Sequence, residues 1–395
     1  MSLWEHAVTL LCIFAAIAQC LLLLLLACAG RSLPGRAAKD AAIRPPDHPS
    51  VGLVVPVAGS HPCMANALKS LVCQDYPHFV PVFVTATEDE DAASLIRGLR
   101  AQFPVIRHVT AGRAQGCGQK NHNSLAGVKA MGEEAEVLVF CDSTHPARPD
   151  FVRALVSPIA VGETDFTTGY HQVIPRDMRP VTLAYTLCVL LMRLLQALAP
   201  LTQPWGGAMA IRRSAFQRHD IAGIWSANVV DDCSLAGILP GLNVHMRLCP
   251  GALLDTDAAA HSLPVWRAWM DRQVLFLKFC VPSQWILLGL LCLIMAIPLC
   301  WAAFTLCYAV LHVASDFAVC AAMAYLALLA ALLNVWRGFL SATVPLLLWL
   351  RAFACATGMF VHVYARSIPA KYLVWHGITY TVGRGGRVIG MTSPS

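Results

Sequence analysis

Charge is scarce in this sequence. Only 13% of its 395 residues are Asp, Glu, Lys or Arg, against 57% hydrophobic. A charged share about half the usual quarter excludes an ordinary soluble globule. The shortage is uneven. Ala7 to Gly30 has no charged residue, long apolar runs fill 281–365, and residues 45–270 carry ordinary turns and charges. Length accommodates one soluble domain of roughly 220 residues with membrane helices at both ends. Metal-binding spacings are also missing. The 16 cysteines include no Cys-x-x-Cys and the 14 histidines no His-x-x-x-His or His-Glu-x-x-His, so no structural zinc site is expected. Cys12, Cys20, Cys28, Cys292, Cys300, Cys307 and Cys320 lie inside apolar runs, where they act as small hydrophobes. Internal repeats and low-complexity segments are absent. The net charge of +6 is modest and gathers near the expected membrane edges, which suits a lipid surface and not nucleic acid.

The residues before Ala7 contain no Lys or Arg, and the apolar stretch exceeds the ~7–15 residues of a signal-peptide core. Arg31, Arg36, Lys39 and Arg44 follow it. Basic residues after a helix mark the cytosolic side. Residues 1–44 therefore read as an uncleaved anchor with a basic linker, and 45–262 as a cytosolic domain. The membrane is a bacterial inner membrane or, in a eukaryote, that of the Golgi or endoplasmic reticulum. An amphipathic helix is expected over 263–281, membrane spans near 284–309, 317–336 and 343–365, and a basic cytosolic tail over 367–395. Three spans after a cytosolic domain would leave that tail outside, so either the first run holds two short segments or the last is re-entrant. Arg351 lies within the last run, as a functional residue or as a side chain that snorkels or pairs within the bundle.

Between the membrane segments, strands alternate with helices. Leu53–Val57 reads as a short buried strand, and a helix runs through Leu68 and Leu71 to the Gln74-Asp75-Tyr76-Pro77 stop. Strands at Phe79–Thr85, Val105–Val109 and Val137–Cys141 are separated by helices over Ala93–Gln102 and Asn121–Met131. Phe166–Gln172 is extended, Thr182–Leu198 helical, and a further strand lies near Asn243–Leu248. The pattern predicts an α/β fold with a mainly parallel sheet.

Acidic residues recur at the ends of these elements: Glu88-Asp89-Glu90-Asp91, Asp142 directly after an apolar strand, and Asp231-Asp232 at a helix start. A carboxylate at a strand's C-terminal end points into the crevice where α/β sheets bind ligands. With the loop Gly116-Cys117-Gly118-Gln119-Lys120 entering a helix, the set suits a nucleotide diphosphate and a divalent metal. Taken singly, each signal is common: an acidic turn, a glycine loop, an N-cap.

In this order the motifs resemble a family 2 type glycosyltransferase of GT-A (Rossmann-like) fold, most closely the ceramide glucosyltransferases of family 21. The resemblance runs from the N-terminal anchor to Trp375-His376-Gly377-Ile378-Thr379-Tyr380. It implies that Pro56 and either Asp89 or Asp91 bind the nucleotide. Lys120 and Asn123 fall in the family's Gly-x-x-x-Lys-x-x-Asn loop. Asp142, in Cys-Asp-Ser, meets a Mn or Mg ion and the UDP-sugar. Thr144 stands where many relatives have a second aspartate. Gly206-Gly207 matches an acceptor-side segment, and Asp232 takes the place of the catalytic base, with Asp231 replacing a glutamate. The last family motif, Gln/Arg-x-x-Arg-Trp, reads Trp269-Met270-Asp271-Arg272-Gln273 here. Arg272 is kept and Gln273 replaces the tryptophan, which disfavours a processive polysaccharide synthase. The implied activity is inverting transfer of a sugar, glucose first, to a lipid hydroxyl. Ceramide leads as acceptor, with a hopanoid or diacylglycerol as the alternative. A catalytically weak membrane scaffold is the competing class.

Overall fold

The computed structural model describes residues 3–88, 91–311 and 315–392. Helix α1 (Leu3–Ala41) leads to β1 (Val51–Pro56), α2 (Met64–Val72), β2 (Phe79–Thr85), α3 (Asp91–Gln102), β3 (Arg107–Thr110), α4 (Gln119–Met131), β4 (Val137–Cys141) and α5 (Phe151–Ala160). Then come β5 (Phe166–Pro175), α6 (Pro180–Gln196), β6 (Ala208–Arg212), α7 (Arg213–Arg218), α8 (Ile221–Ala227), α9 (Asp232–Ile238) and β7 (Arg247–Ala258). The chain finishes with α10 (Leu263–Cys280), α11 (Pro282–Leu311), α12 (Asp316–Arg337), α13 (Leu346–Ser367) and strands β8 (Tyr372–Trp375), β9 (Ile378–Val382) and β10 (Val388–Thr392).

Seven strands form one sheet in the order β3-β2-β1-β4-β6-β5-β7. β1 pairs in parallel with β2 and β4, β2 with β3, and β5 with β7; only β6 runs antiparallel to its neighbours. Strand residues alternate between two cores. Leu53 and Val55 pack with Leu68 and Leu155 on one face, and Val54 packs with Met131 and Trp225 on the other. Burial on both faces explains why these strands read as unbroken apolar runs. The expected mainly parallel α/β sheet is what forms.

Among the described residues, four helices, α1 and α11 to α13, are long and apolar enough to cross a membrane. Three features differ from the sequence expectation. The basic stretch expected as a linker after residue 30 stays helical to Ala41, through Pro34, because the domain holds it. Arg36 donates to Ala197 O at 3.0 Å and Asp40 pairs with Arg247 at 2.9 Å. The strand expected near Asn243 starts only at Arg247, since Asn243 caps the preceding turn in the left-handed conformation, φ 56°. The segment expected as a basic tail is an antiparallel sheet, β10-β9-β8, whose Leu373, Tyr380 and Val382 pack with Val229, Val230 and Phe276.

That packing sets the C-terminal sheet against Val229 and Val230, which directly precede Asp231. α13 has defined contacts near both of its ends. Beside its start, Phe339 lies against Gly30 close to Leu194 of α6. At its end, Lys278 Nζ of α10 donates to Ser367 O at 2.7 Å and Trp285 Nε1 to Ser367 Oγ at 2.9 Å. The helix packs along α6, α10 and α11. Arg351 is exposed on it.

Candidate active site

Strand β4 delivers Asp142 to the C-terminal edge of the sheet. The antiparallel β6 beside it brings Gly206 and Gly207 alongside, and the Asp142 N–H points at Gly207 O, 3.4 Å away. Helix α4 contributes Lys120 from its first turn. Lys120 Nζ lies 2.8 Å from Asp142 Oδ1, 2.9 Å from Asp231 Oδ2 and 3.0 Å from Gly206 O. An ammonium has three N–H donors, and here each faces one acceptor. Burial alone would depress this amine, but Asp142, Asp231 and Asp232 outweigh it and hold it above the usual lysine range. Gly206 is required at this point. A Cβ there would collide with Asp231 Oδ2 and Lys120 Nζ.

Asp231 and Asp232 divide the work. Asp231 is 1% exposed and neutralises Lys120. Asp232 is held by backbone: Oδ2 accepts from the Gly206 N–H at 2.9 Å and Oδ1 from the Cys233 N–H at 2.6 Å. Burial, and next the neighbouring Asp231, push its pKa up to about 6, against the pull of Lys120 and the two N–H groups. A carboxylate fixed in direction, with basicity near neutral pH, is suited to general-base work.

Behind Asp142 lies a network with no local sequence signature. His145 Nε2 stands 4.0 Å from Asp142 Oδ2. The Nδ1 atoms of His145 and His171 both bond to Thr256 Oγ1, at 2.9 and 2.8 Å. One hydroxyl donates to one ring and accepts from the other, so the two tautomers are complementary. Burial lowers the pKa of both imidazoles. His171 stacks on Trp205 with centroids 4.8 Å apart and planes 7° from parallel, so the wall under Gly206 is rigid and aromatic. Asp142-Ser143-Thr144-His145 held a clue in its histidine, but β5 and β7 supply the partners.

The remaining sequence candidates are spread more widely. Pro56 ends β1 and pairs in register with Val84. Asp89 lies outside the described residues. Asp91 opens α3 and lines a groove with Asn66 and Lys69; among the described residues, no ion pair or hydrogen bond joins it to the Lys120 cluster. Asn123 serves the local fold, accepting from Gln119 Nε2 at 2.7 Å. The glycine loop is not the open anion cradle that its composition suggests. The Gly118 N–H is taken by Asn228 O at 2.9 Å and the Ala114 N–H by Gln119 Oε1 at 2.9 Å. Arg272 is half-buried on α10 and has no ion-pair partner among the described residues. Gln273 follows it, half-buried. Trp269 meets Tyr185 edge to face at 5.3 Å.

A divalent ion can be tested against these donors. Among the described residues no three His, Cys, Asp or Glu side chains converge as a metal cage. Mg and Mn sites on nucleotides need only one or two protein carboxylates, with phosphate supplying the rest. Asp142 meets that minimum, because its Oδ2 is not engaged by Lys120.

The sequence profile of glycosyl transferase family 21 matches residues 8–388. The chain belongs to glycosyl transferase family 21. This family 21 protein is a glycosyltransferase of GT-A fold. No curated protein matches its sequence. Among solved structures, it is similar to the mannosyltransferase PcManGT from Pyrobaculum calidifontis, in complex with GDP-Man and Mn2+, with a TM-score of 0.50, 15% identity, and coverage of 91% of this chain and 99% of that one. It also matches glucosyl-3-phosphoglycerate synthase from Mycobacterium tuberculosis, in complex with Mn2+ and UDP-glucose, at a TM-score of 0.39 and 17% identity over 62% of this chain and 81% of that one.

Proposed function

We propose that this family 21 glycosyltransferase moves glucose, with inversion, from UDP-glucose to the hydroxyl of a membrane lipid, ceramide first. The observation that carries the reading is Asp232, gripped by two backbone N–H groups with its pKa raised to about 6. Asp232 removes the acceptor proton as the hydroxyl oxygen attacks the anomeric carbon. Inversion needs the base on the face opposite the departing diphosphate. Arg272, cationic and without an ion-pair partner among the described residues, faces the growing charge of that diphosphate, and Lys120 keeps the carboxylates from repelling it. Asp142 would hold a Mg or Mn ion, which when bound supplies further positive charge at the diphosphate. Pro56 and the 88–91 loop, with Asp91 at its end, are assigned to the nucleoside side.

Helix α10 explains how a lipid meets a water-soluble donor. Trp266, Met270 and Val274 are buried against the membrane helices, while Phe276 and Cys280 pack against Val230 and Ala236 beside Asp232. The helix thus joins both halves at the depth of an interfacial helix. With α1, α11 and α12 crossing and α13 lying along α6, the sheet and the C-terminal strands share the cytosolic side.

The test uses membranes containing the wild-type chain or Asp232→Ala, given labelled UDP-glucose, Mn or Mg, and either ceramide or a ceramide-free lipid extract. Ceramide-dependent label in the lipid phase, lost in the variant, supports the proposal. Label only with the extract moves the acceptor to a hopanoid or diacylglycerol. Label in neither lipid overturns the proposal that this protein moves glucose from UDP-glucose to a lipid.

A further inference from the structure

His145 is fixed in the crevice wall from several sides. Its ring centroid lies 5.1 Å from that of His171 and 5.8 Å from that of Trp205. The backbone after it is tied down as well, because Pro146 O accepts from the Asp255 N–H at 3.2 Å. Asp255 precedes Thr256 on β7, so the strand that pins this loop also supplies the hydroxyl at His145 Nδ1. The other ring nitrogen, Nε2, stands 4.0 Å from Asp142 Oδ2. That gap is too long for a hydrogen bond.

It is not too long for a shared ion. Two ligand atoms of one metal are separated by at most twice a metal–ligand bond, and bonds of ~2.1 Å set that limit at about 4.2 Å. Oδ1 of Asp142 is already engaged, 2.8 Å from Lys120 Nζ, which leaves Oδ2 for the ion. A metal-binding imidazole keeps its second nitrogen as an N–H on a fixed partner, and that bond decides which nitrogen holds the free lone pair. Thr256 Oγ1 is such a partner for His145 Nδ1 at 2.9 Å. Its own hydrogen then goes to His171 Nδ1, 2.8 Å away. One orientation of one hydroxyl therefore leaves His145 Nε2 unprotonated beside Asp142. Both side chains can be reached from the crevice, with 33% of Asp142 and 15% of His145 exposed. Two protein ligands suffice where phosphate oxygens complete the site.

We propose that His145 is a metal ligand, its Nε2 joining Asp142 Oδ2 on the divalent ion that accompanies the donor diphosphate. Thr256 is the positioning residue that sets its tautomer. The inference rests on the sugar-nucleotide reading above and adds a nitrogen to a site otherwise made of oxygen. Mg keeps to oxygen ligands, so the imidazole tunes the site toward Mn.

The test uses purified full-length protein in nanodiscs, given Mn2+ with UDP and, separately, with GDP, and read by electron spin-echo spectroscopy. Wild type is made with ordinary and with 15N-labelled histidine. The expected result is a nitrogen coupling to the bound Mn2+ that changes from the 14N to the 15N pattern on labelling. His145→Phe, which keeps a ring against Trp205, should lose the coupling and bind Mn2+ at least about tenfold more weakly. Mg2+ should displace Mn2+ more readily from this variant than from wild type. Bound Mn2+ with no histidine coupling in wild type, a coupling that survives in His145→Phe, or equal displacement by Mg2+ overturns the proposal for His145 and leaves the transferase reading intact. The labelled wild type decides the matter even where the variant does not fold. A wild type that binds no Mn2+ with either nucleotide overturns both the ligand and the metal-assisted reading.

Discussion

The crevice and the membrane bundle are organised inside out relative to each other. In the bundle, large apolar side chains face outward: Leu11 is 65% exposed and Phe304 68%. In the crevice, charges face inward, with Asp231 at 1%. Each region also handles the polar groups it buries differently. The bundle uses neutral hydrogen bonds, Tyr325 Oη donating to Gln19 Oε1 at 2.6 Å and Trp336 Nε1 to Leu23 O at 3.1 Å. The crevice uses full charges locked to one another through Lys120. Lipid cannot solvate a charge, so helices are joined there by dipoles. The crevice keeps its charges buried only by pairing them.

The largest break in this contrast is expected at the one crevice carboxylate that is bound by backbone. Asp232→Asn should lower lipid-directed sugar transfer by about 10²–10⁴-fold with the unfolding temperature nearly unchanged, measured on the purified protein. Retained transfer removes Asp232 as the base. Next comes the pairing itself. Lys120→Met leaves Asp231 charged and buried, which should cost about 3 kcal/mol of stability in detergent unfolding, and adding Asp231→Asn should recover part of it. A loss that the second change does not relieve would mean that Lys120 acts through packing.

A third prediction separates activity from stability by pH. With its pKa raised to about 6, Asp232 is protonated below that pH, and transfer should fall about tenfold per unit as pH drops further. The linkage runs the other way for stability. A carboxyl whose folded pKa exceeds its unfolded value adds stability below the unfolded pKa of about 4, and that stability is lost as pH rises through about 6. Over pH 4 to 6, the contribution of this residue to stability and its contribution to rate should therefore move in opposite directions; parallel curves for wild type, with the difference unchanged in Asp232→Asn, would reject the assignment. The smallest effect belongs to the bundle. Tyr325→Phe should cost only about 0.6 kcal/mol, the usual worth of a hydrogen bond between membrane helices.

Much of the frame was legible because its signals are local. Phe79–Thr85 and Val137–Cys141 are apolar runs closed by turn chemistry, and the strands form at those bounds. Asp142, Lys120 and Asp232 were visible as residue types at the ends of elements. Their division of labour was not, because it depends on partners far along the chain: Lys120 on Gly206 and Asp231, Asp232 on the Gly206 N–H. The same limit hid the bridge that Thr256 makes between His145 and His171. The C-terminal sheet was missed because basic residues outnumber acidic ones there and drew the reading toward a solvated tail. The alternating Leu373, Tyr380 and Val382 matter only once Val229 and Phe276 are beside them.

The bond from the Val229 N–H to Gly386 O also orders the assembly of the protein in time. A ribosome makes the loop carrying Asp231 and Asp232 well before it makes the strand that anchors this loop. Between the two lie the three long apolar helices α11, α12 and α13. A chain released early presents the Asp231–Asp232 loop without its backbone partner. Completion of that loop is thereby made to wait for the last strands of the chain.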